Sequence, residues 1–285
     1  MHHLAQKKCF ITGAASGIGR ATAIAAAAAG AAVILTDIDG TGLALVADLI
    51  RSNGGEVLDW RALDIADFNA VRHYANDLHH RFGSLDVLMN IAGIAIWGSV
   101  ETLAHEQWRR CIEVNLMGPI HVMECFLPPM IKAGRGGYLV NVASAAALFP
   151  LPWHAPYSAS KFGLRGVSEV LRQDLRRHNI HVCLVCPGAV DTGLVNTIQI
   201  AGIDLQHPEA VALRQDFRRH AVTPEQAAQS ILDGIRQRSW LVFTSPDIRV
   251  GYWFQRKWAW PFEQVMHWLN DRLYRVSQSA AVSRD

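Results

Sequence analysis

The chain has 285 residues, 50% of them hydrophobic and 18% charged, with a formal net charge of +2 at pH 7. That length can bury a full core and fits one α/β domain, and so even a charge balance excludes nucleic acid as an expected partner. Five cysteines, Cys9, Cys111, Cys125, Cys183 and Cys186, are odd in number and sit in apolar runs, which speaks against a disulfide framework and predicts a reducing, cytoplasmic compartment.

The first residues lead straight into a strand, so no signal peptide is expected. The longest apolar run, Ala21 to Leu35, falls short of the roughly 20 residues that a membrane span needs. Lys8 to Thr12 reads as that first strand, followed by Gly13-Ala14-Ala15-Ser16-Gly17-Ile18-Gly19 and an alanine-rich helix to Gly30. Strand, glycine turn and helix in this order make a phosphate site: backbone N–H groups and the helix N-terminus face the anion, and the glycines let a pyrophosphate approach. A second strand, Ala32 to Thr36, ends at Asp37. A carboxylate there can accept both ribose hydroxyls of an adenosine and repels a 2′-phosphate. Ser16 is not basic either, so NAD is expected over NADP; the bland alternative for Asp37 is a solvent-facing turn residue.

The units then repeat, with a helix from Thr41 to Asn53, a strand from Glu56 to Leu63 ending at Asp64, a helix from Phe68 to Phe82 and a strand from Leu85 to Asn90. Such alternation predicts an α/β fold with a doubly wound parallel sheet of Rossmann type, whose ligands sit beyond the C-terminal ends of the strands. Asp37, Asp64, Asn90-Ile91-Ala92-Gly93, Ser144 and Pro187-Gly188 all fall at or just past such ends.

Leu103 to Ile131 reads as a long helix broken at Pro119 and ended near Pro128-Pro129. Asn115 lies inside it and needs a partner, either a backbone carbonyl freed near Pro119 or a water. Tyr138 to Ala143 is a strand closing at Ser144. Tyr157 and Lys161 stand one turn apart at the start of a helix to about His178. An ammonium held there favours the phenolate and brings Tyr157 toward working range as an acid/base, with Ser144 donating to a developing oxyanion. Cys183 and Cys186 are three apart in a strand, hence on opposite faces, and no metal site is expected. The backbone of Pro187 to Thr192 and the Thr192 hydroxyl are placed to hold an amide. Residues 193–208 lack periodicity and suggest a mobile lid. Thr223 to Arg238 is a helix with a good start signal, and Trp240 to Thr244 a last strand.

With these residues assembled, the chain from about Lys7 to Thr244 resembles the short-chain dehydrogenase/reductase family in its single-domain form. The likeness rests on Thr12-Gly13-x-x-x-Gly17-x-Gly19, Asp64, Asn90-x-Ala92-Gly93, Asn115, Ser144, Tyr157-x-x-x-Lys161 and Pro187-Gly188-x-x-x-Thr192. The resemblance implies hydride transfer between the nicotinamide C4 and a carbonyl or alcohol carbon. It implies Tyr157 as the acid/base, Ser144 polarising the substrate oxygen, Lys161 on the nicotinamide ribose and Asn115 holding a water in a proton relay. Asp64 and Ile65 would meet the adenine, and Val190 and Thr192 the carboxamide. A homodimer or homotetramer is implied too, built on the helices that contain Asn115 and Tyr157. Two departures stand out: Ile91 replaces the second asparagine of the usual Asn-Asn-Ala-Gly, and the Asp-Gly-Gly type of ending found in acyl-carrier reductases is absent.

Leu148, Phe149, Leu151, Trp153 and Trp97 fall around the expected reacting oxygen, so a lipophilic alcohol or ketone is the expected substrate. A catalytic domain of residues 1–247, with a substrate loop at 190–222, is followed by an aromatic amphipathic extension, 248–285. In that extension Phe262, Val265, Met266, Leu269, Leu273 and Val276 form one apolar stripe. Such a helix either packs over the cleft or on a second subunit, or lies in a membrane interface. The competing readings are an NADP-linked reductase of acyl or polyketide carbonyls and a non-catalytic NAD(H) sensor or scaffold.

Overall fold

A parallel strand covered on both faces needs apolar side chains at successive positions, and the runs around Phe10, Ile34, Leu88 and Leu139 supply them. In the computed structural model, which describes residues 4–192, 199–204, 206–219 and 221–279, these runs form a seven-stranded sheet. Its strands are β1 (Lys8–Thr12), β2 (Ala32–Asp37), β3 (Glu56–Ala62), β4 (Val87–Asn90), β6 (Gly137–Val142), β7 (Ile180–Cys186) and β9 (Leu241–Phe243). They lie in the order β3-β2-β1-β4-β6-β7-β9, all parallel. The chain winds outward from β1 to β3 and then crosses back to start β4 on the other side of β1. The reversal opens a crevice at the C-terminal ends of β1 and β4.

Alternate residues feed two cores. Cys9, Ile11, Val33, Leu35 and Met89 pack with α1 (Gly17–Ala28), α2 (Gly40–Ser52) and α8 (Pro224–Arg236). Phe10, Ile34, Leu88, Leu139 and Val182 pack with α3 (Phe68–Phe82), α5 (Gly118–Ala133) and α6 (Ala155–Asp174). Cys183 and Cys186 face opposite sides of β7, as their spacing requires. Side-chain caps start several helices: Asp39 Oδ1 accepts from Gly42 N at 3.0 Å and Asp67 Oδ1 from Ala70 N at 3.0 Å. Thr223 and Gln226 close a capping box on α8.

Three features differ from the expected elements. The helix through Asn115 runs as α4 (His105–Ile112), a π-helical turn (Glu113–Met117) and α5, and Pro128-Pro129 do not end it. Burial of Phe126, Leu127 and Met130 holds the helix through both prolines, and it stops only at Gly134, which is left-handed with φ 66°. A second, two-stranded sheet pairs β5 (Ile96–Trp97) with β8 (Gln199–Ile200), and α7 (Pro208–Arg219) follows. Of the lid expected over 193–208, residues 193–198 and 205 lie outside the described residues. Lastly, α9 (Pro246–Lys257) precedes the expected tail helix, α10 (Ala259–Ser279), so a boundary at 247/248 falls in the first turn of α9.

Candidate active site

The crevice is built first by what is missing from it. Gly13 has φ +71°, and a Cβ there would lie 2.8 Å from Ala92 Cα; at Gly19 a Cβ would lie 1.9 Å from the Gly13 carbonyl oxygen. Gly17 has φ +51°, and a Cβ there would come within 3.1 Å of the Thr192 methyl. Only glycines let the turn fold so tightly against the start of α1, which leaves helix N–H groups facing the crevice. Ser16, at the N-cap position, makes no side-chain cap bond of its own.

At the end of the crevice beside β2, Asp37 accepts from Ala15 N at 2.9 Å through Oδ2 and from Asp39 N at 3.0 Å through Oδ1. Two backbone donors thus orient a carboxylate that lines the crevice beside Ile38, Leu63, Asp64 and Ile65. Asp64 Oδ1 accepts from Ala66 N at 2.9 Å, and its Oδ2 pairs with Arg110 at 3.3 Å. Arg110 therefore belongs to this end, and no sequence motif marks it.

The floor is tied together by Thr12, whose Oγ1 accepts from Ile91 N at 2.9 Å and Ala92 N at 3.0 Å. The loop after β4 is thereby locked to the glycine turn through its backbone, with no part played by the Ile91 side chain. Asn90 is buried below the floor and donates to Asn141 Oδ1 at 2.9 Å; Asn141 in turn donates to Ser168 Oγ at 2.9 Å. Asn90 thus supports the crevice from beneath, while Ala92 and Gly93 line it.

Asn115 sits in the π turn, fully buried, and the backbone carbonyl it meets is that of Ile94, not one freed near Pro119. Oδ1 accepts from Ile94 N at 2.8 Å, Nδ2 donates to Ile94 O at 2.9 Å, and Nδ2 also reaches Ser160 Oγ at 3.2 Å. The amide clasps the loop from β4 to β5. A π turn shifts the hydrogen-bond ladder by one residue, a feature that recurs at functional sites. Gly93 leaves room for the clasp, since a Cβ there would lie 3.0 Å from Asn115 Oδ1 and 3.3 Å from Lys161 Nζ.

At the other end, Ser144 follows β6 and caps a short 3₁₀ turn, its Oγ accepting from Ala146 N at 3.1 Å. The hydroxyl proton stays available, and Ser144 faces the same cavity as Tyr157 and favours its ionisation. Lys161, 4% exposed, donates to Val142 O at 3.1 Å and lies 5.8 Å from the Tyr157 ring centroid. Burial dominates both ionisations: it pushes the Tyr157 phenol above its ordinary range, opposed by Ser144, and pulls Lys161 down to about 8. Burial thus holds the phenol protonated rather than letting the ammonium draw it down, contrary to the expectation from Tyr-x-x-x-Lys alone.

Ser144, Tyr157 and Lys161 share a cavity of about 390 Å³ with Pro187, Gly188, Val190, Thr192, Phe149, Leu151, Trp97, His154 and Ile248. The cavity around Asp37, about 460 Å³, shares Ile18, Ile91, Gly93, Ile94 and Thr192 with it, so the two form one groove from Asp37 to Tyr157. His154 gives Nδ1 to Pro152 O at 2.6 Å and stacks at 4.3 Å on Trp97; burial lowers its imidazole to about 4. Trp153, just before it, is left-handed at φ 66°, and its carbonyl accepts from Gly98 N at 2.8 Å. Ile248 on α9 and the Phe149–Phe262 ring pair, 5.6 Å apart, bring the C-terminal helices to the cavity wall. Arg165 on α6 fastens them there, bonding Ala147 O at 3.1 Å and the Tyr252 hydroxyl at 3.2 Å.

Fold and groove together define a Rossmann-type dinucleotide-binding protein, because a glycine cradle, an oriented carboxylate and a proton-bearing phenol line one continuous crevice. A sequence profile of short chain dehydrogenases matches residues 7–201. SadH of Mycobacterium tuberculosis, named as an oxidoreductase, is 35% identical over 80% of this chain and 82% of its own. The 1-deoxy-11-beta-hydroxypentalenate dehydrogenase of Streptomyces avermitilis is 29% identical over 99% of this chain and 98% of its own. Among solved structures, a short chain dehydrogenase/reductase of Burkholderia phymatum in complex with NAD superposes with a TM-score of 0.80 at 28% identity, covering 90% of this chain and 95% of that one. A metagenomic short-chain oxidoreductase in complex with NADP gives a TM-score of 0.65 at 31% identity, covering 80% and 90%. The chain belongs to the short chain dehydrogenase family. It is an oxidoreductase that acts on hydroxyl or carbonyl groups with a nicotinamide cofactor.

Proposed function

We propose that this enzyme transfers a hydride between NAD(H) and a lipophilic secondary alcohol or its ketone, with Tyr157 as the acid/base. The observation that carries the reading is the cavity wall itself. Phe149, Leu151, Trp97 and Ile248 face the same space as the hydroxyls of Ser144 and Tyr157, so an apolar body is seated while one oxygen is held. The full-length relative is named for a hydroxypentalenate, an alcohol, which agrees.

The cofactor, when bound, accepts or delivers the hydride at its nicotinamide C4. In ketone reduction the Tyr157 phenol gives its proton to the carbonyl oxygen while the Ser144 hydroxyl donates a hydrogen bond to that oxygen; in alcohol oxidation the same proton returns to Tyr157. Lys161 holds the nicotinamide ribose and resupplies the proton, and Asn115 keeps the Ile94 loop and a relay water in place beside it. Along the groove, Gly13, Ser16, Gly17, Ile18 and Gly19 take the pyrophosphate, Asp37 the ribose hydroxyls, and Asp64 and Ile65 the adenine. Val190 and Thr192 take the carboxamide beside Pro187 and Gly188.

NAD is preferred over NADP because Asp37 would face a 2′-phosphate with like charge, and neither Ser16 nor Ile38 offers a cation. Turnover compared with NAD and NADP, before and after Asp37→Ala, tests this; equal use of both by the unmodified enzyme overturns it. The apolar groove between α5 and α6, lined by Met123, Leu127, Ile131, Val167 and Leu171, is the subunit contact of a homodimer or homotetramer. A monomeric mass by sedimentation would contradict that.

A further inference from the structure

We propose that the outward face of α9 and the α9–α10 elbow docks on an anionic lipid surface, holding the substrate cavity beside the bilayer. Among the described residues no helix is long and apolar enough to cross a membrane, so the contact lies in the interfacial plane. In α9, Arg249, Val250, Trp253, Arg256 and Lys257 recur at helical spacing and are all exposed, while Ile248 and Tyr252 on the other side face the core. The only acidic residue of α9 is Asp247, in its first turn. The elbow adds Trp258 and Trp260, which are 50% and 71% exposed, and Trp253 is 54% exposed.

Three exposed indoles set among three cations match an interface, where rings sit at headgroup depth and long basic side chains reach the phosphates. A dry protein partner suits them less: it would need an acceptor for each indole N–H. An isologous contact with a second copy would also bring Arg249, Arg256 and Lys257 against their own counterparts. The apolar stripe of α10 is less open to lipid than the elbow: Phe262 packs on Phe149, and Met266, Leu269 and Leu273 are half-buried, while Val265, Trp268 and Tyr274 are exposed. Position supports the assignment as well, since the helix that bears the cationic face also puts Ile248 into the cavity wall. A lipophilic molecule leaving the bilayer would meet the cavity without crossing bulk water.

The test is flotation of the full-length protein with vesicles of phosphatidylcholine alone and of phosphatidylcholine mixed with phosphatidylglycerol. The mixed vesicles should carry the protein up the gradient, neutral ones far less, and added salt should release it. Arg256→Gln and Lys257→Gln should each weaken binding about fivefold, and Trp253→Ser with Trp260→Ser should abolish it while turnover of a water-soluble ketone is retained. Failure to float with either vesicle overturns the proposal, as does undiminished binding by the tryptophan variant. If that variant instead sediments at half the mass of the unmodified protein, the face contacts a second copy and the lipid assignment is wrong. Flotation and sedimentation do not depend on which substrate or cofactor the enzyme uses.

Discussion

The side-chain amide of Asn115 occupies both backbone hydrogen-bonding groups of Ile94, accepting from its N–H at 2.8 Å and donating to its carbonyl at 2.9 Å. A π turn and the loop from β4 are thereby fixed to each other beside Lys161. Asn115→Leu leaves the half-buried Ile94 N–H and C=O without these partners, a loss of about 2–6 kcal/mol at roughly 1–3 kcal/mol for each orphaned group. Thermal or urea unfolding should register that loss. Asn115→Asp keeps the acceptor and loses the donor, so it should fall between the two.

Tyr157→Phe should lower turnover about 10²- to 10⁴-fold, the range for a removed general acid/base. NADH binding, followed by fluorescence titration, should change little. Retained turnover would remove Tyr157 from the acid/base role. Because burial raises the phenol, ketone reduction should run well at neutral pH and alcohol oxidation should accelerate as the medium becomes alkaline.

Lys161 sets a pH dependence of stability. Its folded-state value, about 8, lies below the ordinary 10.5. Between these values the unfolded chain holds a proton that the folded chain has released, so stability climbs with pH across that window. Tyr157, shifted the other way, makes stability fall again once the pH exceeds about 10. Lys161→Met should remove the climb and raise the melting temperature at pH 7, where the buried ammonium costs on the order of 3 kcal/mol, while turnover is lost. A lower melting temperature would show that the bond to Val142 outweighs burial.

The C-terminal helices complete the cavity. Phe262→Ala removes the ring that backs Phe149 and should raise KM for a bulky ketone about tenfold, with a smaller change in kcat. Deletion after Thr244 also takes Tyr252 from Arg165 and Ile248 from the wall, and should impair activity on small and bulky ketones alike.

The glycine turn, Asp37, Asp64 and the Tyr157–Lys161 pair were legible in sequence because each is a local pattern at a strand end, and the parallel sheet follows from alternation alone. What could not be read is long-range. Asn115 finds Ile94, Asp64 finds Arg110 and Arg165 finds Tyr252 only once the fold joins segments far apart in the chain. The field at Tyr157 was misjudged for the same reason: spacing shows that an ammonium is near, but not that burial outweighs it. Pro128-Pro129 misled because local propensity was overruled by the packing of Phe126 and Met130. The pairing of Ile96 with Gln199 left no signal, being too short to show alternation.

All five cysteines are reduced, and burial raises every thiol, Cys111 to about 11 and Cys183 and Cys186 to about 12. Thiolates, the species that attack electrophiles, are therefore scarce at neutral pH. Four of the five, Cys9, Cys111, Cys183 and Cys186, are also buried, so a thiol-directed reagent should label the folded protein slowly and reach the half-buried Cys125 first.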